Sequence, residues 1–207
     1  LVGSEMCIRD SVYAVTGGAA MHLNDALGNA KFLETHYLHH EQSCSMAAES
    51  HARHTYEPVI LNVTAGPGAL NALNGVFGAY VDSIPMVVIS GQAKTTTLVN
   101  SYDNSSLRQL GDQEVDICYA VKKMTKYAVQ LRDPNSIKYE LEKCIFLSSS
   151  GRPGPCWLDI PIDIQGSLVD EDNLKKFIAT DHQDITNKKH CLETVSYTHL
   201  TLPTTYH

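Results

Sequence analysis

PVILNVTAGPGALNALNGVFGAYVDSIPMVVISGQ, residues 58–92, reads as two strands joined by a glycine-bearing turn and a helix. Residues 58–66 and 85–92 are near-continuous apolar runs, the pattern of strands covered on both faces. Between them Leu70, Leu73, Phe77 and Val81 recur at helical spacing and mark an apolar helix face. Gly75 and Gly78 on that helix cost stability and imply close backbone packing. Two buried strands joined through a helix belong to a parallel sheet wrapped by helices.

The same alternation continues outward. SVYAVTGG (11–18) reads as a strand ending in a glycine turn, followed by a short helix around AAMHLNDAL. FLETHYL (32–38) is a second strand, and a second helix runs from Glu41 to about His54. Beyond residue 92 lies a polar loop, KTTTLVNSYDNSS (94–106), of a length that is commonly functional. QEVDICYAV starts a helix, and TKYAVQL is a strand. PNSIKYELEKCIFLSSS places Ile137, Leu141, Cys144 and Ile145 on one helix face. GRPGPCWLDIPIDIQ (151–165) is a rigid turn and a last strand. The expected fold is a doubly wound α/β domain, a mainly parallel six-stranded sheet with helices on both faces, spanning residues 12–166. The polar, acidic composition after Gln165 reads as a linker over 167–194.

Composition narrows the function. A formal net charge of −7 leaves no basic stripe for phosphates, so no nucleic-acid partner is expected. No apolar segment approaches the ~20 residues that span a bilayer, so no membrane partner is expected either. The six cysteines form no C-x-x-C pair, and a reducing, cytoplasmic setting is the expectation. The ends, LVGSEMCIRDS (1–11) and VSYTHLTLPTT within 195–207, fit poorly with their neighbours and resemble translated sequencing-adapter read-through. Both are set aside as non-native.

YLHHEQSCSMAAESHARHT (37–55) concentrates four histidines, two glutamates and a cysteine, and admits three readings. A metal site fits poorly, because HEQSC puts Cys44 where H-E-x-x-H has its second histidine. No metal ligand is assigned. A dinucleotide site could use TAGPGALNAL, but Asn71 replaces the third glycine and the next strand ends in Ser90-Gly91-Gln92, without an acid for a ribose. The third reading gives Glu41 a special task. It follows a strand end, where ligands of open α/β sheets bind, and it opens a helix of small residues. Apolar burial would let it hold a proton at neutral pH, whereas a helix N-terminus favours its ionised form.

Three segments break the tie: residues 62–92, LRQLGDQEVDI (107–117) and GRPGPCWLDIPIDIQ. As a set, in order and spacing from about Tyr13 to Gln165, they resemble the N-terminal pyrimidine-binding domain of thiamine-diphosphate enzymes in the acetolactate-synthase-like branch. HHEQSCSMAAESHAR is similar to that family's H-E-Q-x-x-x-x-A-A-x-x-x-A-R helix, which puts Glu41 on the cofactor-activating glutamate. The resemblance implies a glutamate that hydrogen-bonds N1′ of the aminopyrimidine and favours the imino form that takes the thiazolium C2 proton. The substrate it implies is a 2-keto acid, which is decarboxylated and joined to a second carbonyl.

Other roles follow from the same resemblance. Gly17 and Gly18 match a P-G-G turn near the thiazolium, with Thr16 in place of the proline. Pro67 and Asn71 match positions lining the pyrimidine pocket, and Gln113 matches a glutamine facing substrate. Asp112 stands where an apolar residue is usual. Arg152 matches an arginine that meets a flavin in true acetolactate synthases, so FAD stays open. Mg2+ and the diphosphate are held in this family by a separate C-terminal domain with a G-D-G signature, which this sequence lacks. The chain should therefore supply half a site and be inactive alone, with the full-length protein a homodimer or homotetramer. A simple decarboxylase of oxalyl-CoA or benzoylformate type, and a non-catalytic Rossmann-like nucleotide-binding module, are the alternatives.

Overall fold

The apolar runs become six strands, every pair of them parallel. They are β1 (Ser11–Ala14), β2 (Glu34–Tyr37), β3 (Val59–Val63), β4 (Met86–Gln92), β5 (Tyr127–Gln130) and β6 (Pro155–Pro161). In this computed structural model the described residues are 11–102 and 106–179. The termini read as non-native thus lie outside them except for Ser11, as does 180–194 of the linker. Residues up to Phe177 form one compact unit, and a second begins at Ile178, almost all of it outside the described residues.

The strand order is β2-β1-β3-β4-β6-β5. Every residue of β3, β4 and β6 is buried, which explains why these strands are apolar without alternation. Edge strand β2 is half-exposed and polar. The crossovers are α1 (Met21–Asn29), α2 (Glu41–Thr55), the pair α3 (Pro67–Asn71) and α4 (Leu73–Asp82), α5 (Ile117–Val121) and α6 (Ile137–Ser149). The IDIQ segment, expected to prolong the last strand, instead turns into α7 (Ile162–Gln165) after Pro161. Helices α2, α4 and α5 pack on one face around Leu61, Val88 and Trp157. On the other face α1 and α6 cover Val12, Ile60, Val87 and Leu158. Residues 167–177 then run back over α6, where the Phe177 ring lies between Tyr139 and Phe146 and its amide donates to Glu142 at 2.8 Å.

The helix after β3 turns a different face inward from the stripe of large residues. Ala69, Ala72, Val76 and Ala79 are buried, whereas Leu70, Phe77 and Val81 are 41%, 54% and 50% exposed. Close approach to α2 is the reason. A Cβ on Gly75 would stand 2.4 Å from the Ser45 carbonyl carbon, so only the bare backbone fits there. The small stripe Cys44, Ser45, Ala48 and Ala52 on α2 is buried in the same contact. Gly78 has open space around it and plays no such part.

Candidate active site

In a doubly wound sheet the crevice opens at the carboxyl ends of the strands where the order reverses. Here that point lies between β1 and β3, since β2 lies outside β1 and the rest of the sheet outside β3. The turn after β1 brings Gly17 against Thr64, which follows β3; a Cβ on Gly17 would come within 2.4 Å of the Thr64 side chain. Asn62 Nδ2 donates to Asn24 Oδ1 at 2.9 Å, and Asn24 Nδ2 donates to the Gly17 carbonyl at 3.3 Å. The glycine turn is thus tied to β3 through two side chains. Gly18 beside it has no neighbour within 4 Å of its would-be Cβ.

Glu41 enters the crevice from its third side. Chain pairing continues past β2, with Leu38 N donating to the Ala14 carbonyl at 2.9 Å. His40 is extended, with φ −152°, and lends no side-chain cap, so Glu41 is the first helical residue. The α2–α4 contact fixes the helix, which fixes where that first turn points. The half-buried Glu41 carboxylate meets α3 along its length, from Gly68 to Asn71. Its Oε2 accepts from Asn71 Nδ2 at 2.8 Å, and its Oε1 would be 3.3 Å from a Cβ on Gly68. Among the described residues no donor reaches Oε1.

The Gly66-Pro67-Gly68 bend is built for this meeting. Gly66 has φ +54°, a conformation glycine adopts without strain, and Pro67 starts α3 with a missing N–H where none is needed. Gln113 packs its backbone on the bend. A Cβ on Gly66 would lie 2.0 Å from the Gln113 carbonyl oxygen, and Gln113 itself has φ +53°. The structure therefore gathers Gly17, Glu41, Pro67, Asn71 and Gln113 at one crevice, with Gly18 on the adjoining turn.

Arg152 is not brought there. It precedes β6, at the amino ends of the strands, and its Nε donates to Ser83 Oγ at 2.7 Å and its Nη2 to the Val81 carbonyl at 3.1 Å. Those bonds anchor the end of α4. The histidines of 36–54 do not converge either: His51 Nδ1 meets the Tyr13 hydroxyl at 3.2 Å, His36 stacks on Tyr13, and His40 lies 3.3 Å from Asn71 Nδ2. Among the described residues no cluster of three or more His, Cys, Asp or Glu could hold a metal. No described helix is long and apolar enough to cross a membrane.

The family model of the thiamine pyrophosphate enzyme N-terminal TPP binding domain matches residues 7–120, more than half of the chain. The chain belongs to that family. Its match starts inside the stretch 1–11 that composition had set apart. Among curated relatives, the chain is 36% identical over 171 residues to the acetolactate synthase isozyme 3 large subunit of Escherichia coli, covering 79% of this chain and 28% of that protein. It is 35% identical over 163 residues to the chloroplastic acetolactate synthase of Arabidopsis thaliana, covering 77% and 22%. The chain thus spans less than a third of these relatives. Among solved structures, benzoylformate decarboxylase from Polynucleobacter necessarius superposes with a TM-score of 0.69 at 19% identity, over 83% of this chain and 30% of that one. That likeness concerns the fold. This is a TPP-binding N-terminal domain of the acetolactate-synthase-like kind.

Sequence reasoning had overlooked the residues that hold the crevice in shape. Asn24 and Asn62 carried a signal, because Asn62 is the lone amide in an otherwise apolar buried strand. Glu114 accepts from the amides of Val99, Leu110 and Gly111 and closes the loop before Gln113. Asp163 accepts from Thr95 N at 3.1 Å and from the Thr95 hydroxyl, fastening the exit of β4. Burial works to raise the Asp163 pKa, but these bonds outweigh it and the net shift is downward.

Proposed function

We propose that this chain forms the aminopyrimidine side of a thiamine diphosphate site in a 2-keto acid decarboxylase and carboligase resembling acetolactate synthase, with Glu41 the proton-relaying carboxylate. One observation carries the reading: Glu41 presents Oε1 beside Gly68 at the β1–β3 crevice while Asn71 holds Oε2. The cofactor fits the residues present. A bare Gly68 lets Thr64 and the Glu41 carboxylate close on the bend, since a Cβ there would stand 2.7 Å from Thr64 Cγ2 and 3.3 Å from Oε1, and a carboxyl oxygen without a protein donor can share a proton with a ring nitrogen. When bound, thiamine diphosphate supplies the electron sink for loss of carbon dioxide from the 2-keto acid. Glu41 holds or yields a proton at Oε1, Asn71 keeps its carboxylate from rotating, and the Gly17-Gly18 turn and Gln113 border the space left for substrate. Mg2+ and the diphosphate would be held by parts of the full-length protein outside this chain.

The names of the relatives near 35% identity favour a carboligase over a simple decarboxylase. Family membership and Glu41's place at the bend speak against a nucleotide-binding module. FAD contact through Arg152 rests on the resemblance alone. A second copy of the protein is the partner we assign to the exposed stripe Leu70, Phe77 and Val81, which continues α3 away from Asn71 toward the far end of the sheet. Four described cysteines, all free thiols, suit a cytoplasmic setting.

The test is hydrogen exchange at the cofactor's C2 in the full-length protein. Glu41→Gln should slow it about 10²- to 10⁴-fold, the range of a positioned acid–base group. Near-normal exchange in that variant refutes the assignment. This 207-residue chain by itself should show negligible carboligation and weak cofactor binding; sustained turnover by it would refute the half-site reading.

A further inference from the structure

Two strands over from the β1–β3 crevice the sheet buries another carboxylate. Asp159 on β6 is fully buried and receives three donors. Ser90 Oγ donates to Oδ1 at 2.6 Å, while Gln92 Nε2 and Gln130 Nε2 donate to Oδ2 at 3.1 Å and 2.9 Å. Trp157 Nε1 in turn donates to Ser90 Oγ at 2.8 Å. An acid inside an apolar sheet is costly without such bonds. The proton relay at Glu41 makes no use of it.

The cluster has an exit. Gln92 ends β4; its Nε2 also donates to the Val115 carbonyl at 2.8 Å, and its Oε1 accepts from Ala93 N at 3.0 Å. Val115 lies two residues past Gln113, whose carbonyl packs on Gly66 beside the bend that meets Glu41. An amide side chain is nearly symmetric in shape, and its two ends are told apart only by their partners. The Asp159 carboxylate makes that distinction together with the Val115 carbonyl and the Ala93 amide, because a flipped Gln92 would set its oxygen against the first two and its NH2 against the third.

We propose that Asp159 is a positioning residue for the Gln113 loop: its carboxylate orients Gln92, and Gln92 fixes Val115 and hence Gln113 against the Gly66 bend. What Gln113 does for substrate rests on the function proposed above; the loop's dependence on Asp159 does not. Protonation loosens the hold. Two amide donors already occupy Oδ2, so the proton goes to Oδ1, where the Ser90 hydroxyl turns from donor to acceptor beside its bond from Trp157 and its own proton loses the carboxylate as partner. The bonds to Gln92 and Gln130 then lose their charge assistance, about half their strength. The titratable groups around Asp159 are Asp116 at the head of α5, which opposes its ionisation, and Cys118 on α5, whose thiol is raised chiefly by burial and then by Asp159. Burial pushes the Asp159 pKa up to about 6, against the pull of its bonds from Ser90, Gln130 and Gln92.

The chain contains a single tryptophan, Trp157, which sits in this cluster and reports on it. The experiment follows Trp157 emission and amide hydrogen exchange of this 207-residue chain from pH 4.5 to 8, with exchange corrected for its intrinsic pH dependence. We expect one emission step near pH 6 and, across it, about a tenfold loss of protection in 111–117 with none in α4. In Asp159→Asn both steps should vanish. Gln92→Leu, which keeps the acid and cuts the link, should keep the emission step and leave 111–117 unprotected at every pH. An emission step with flat exchange in 111–117 overturns the proposal, as does protection lost in all segments together. If Asp159→Asn does not fold, the wild-type titration and Gln92→Leu decide. None of these readings involves the cofactor, so failure here leaves the assignment of Glu41 intact.

Discussion

Glu41 and Asp159 both stand near the carboxyl ends of parallel strands, yet one is half-buried with a single protein donor and the other is sealed with three. The difference separates two uses of the same side chain. A carboxylate with an oxygen to spare, in an open crevice, can exchange a proton with something that arrives. One whose oxygens are both engaged, deep in the sheet, meets no arriving partner and acts on its neighbours, tightly when ionised and loosely when protonated. Position along the strands does not distinguish them; the count of partners does.

The largest effect should separate the two acids by activity. Glu41→Gln should lower C2 exchange by orders of magnitude in the full-length protein while leaving the fold of this chain within about 0.5 kcal/mol, since it removes one charge at a helix start. A urea titration of the chain and the exchange assay check the two halves. If Glu41→Gln instead unfolds the domain, the contrast collapses, because Glu41 would be as structural as Asp159.

Asp159 should show the pH behaviour of a buried acid, the opposite of that of an ion-paired surface carboxylate. Asp159 is raised from 3.8 to about 6 in the fold, so between these values the native state holds more protons than the unfolded chain. Stability from this group is therefore complete below the unfolded value and lost as pH rises through about 6. Asp159→Asn should gain on the wild type by roughly 2–3 kcal/mol between pH 4 and pH 7, read as the difference of their urea midpoints. A constant difference across that range would mean that Asp159 does not titrate as a buried acid.

Two glycines on one helix sharpen the account of what aims Glu41. Gly75→Ala drives a Cβ into the Ser45 backbone and should cost about 2 kcal/mol, with a matching loss of cofactor binding in the full-length protein as α2 shifts. Gly78→Ala meets nothing and should stabilise by about 0.5–1 kcal/mol through helix propensity alone. Equal effects at the two positions would remove the α2–α4 contact as the device that sets Glu41. The smallest effect is expected at the opposite end of the sheet. Arg152→Ala should lower the melting temperature by a few degrees at most, as one surface anchor of α4 is released, and should not alter Trp157 emission.

Much of the domain was legible in the sequence. The order of strands and helices and the helix that opens at Glu41 follow from runs of apolar residues and glycine turns, while the placing of the GPG bend at a pocket with Glu41 came only from the family resemblance. Asp159 was equally visible as the one acid in WLDIP, but nothing in one strand tells that Ser90, Gln92 and Gln130 from two neighbouring strands will surround it. The hold on the Gln113 loop stayed hidden for the same reason, as Glu114 and Gln92 reach across more than ten residues to the amides and carbonyls they fix.

By itself the sequence determined that the chain forms a parallel sheet and that Glu41 follows the end of a strand and opens a helix, because those depend on local pattern and on residue identity. Only the tertiary structure decided which side of the helix after β3 faces inward. Both sides are apolar, one small and one large, and the small one won because Gly75 lets α4 approach the alanines of α2 more closely than leucine or phenylalanine would allow. The same choice left Leu70, Phe77 and Val81 facing outward and set the angle at which Glu41 enters the crevice.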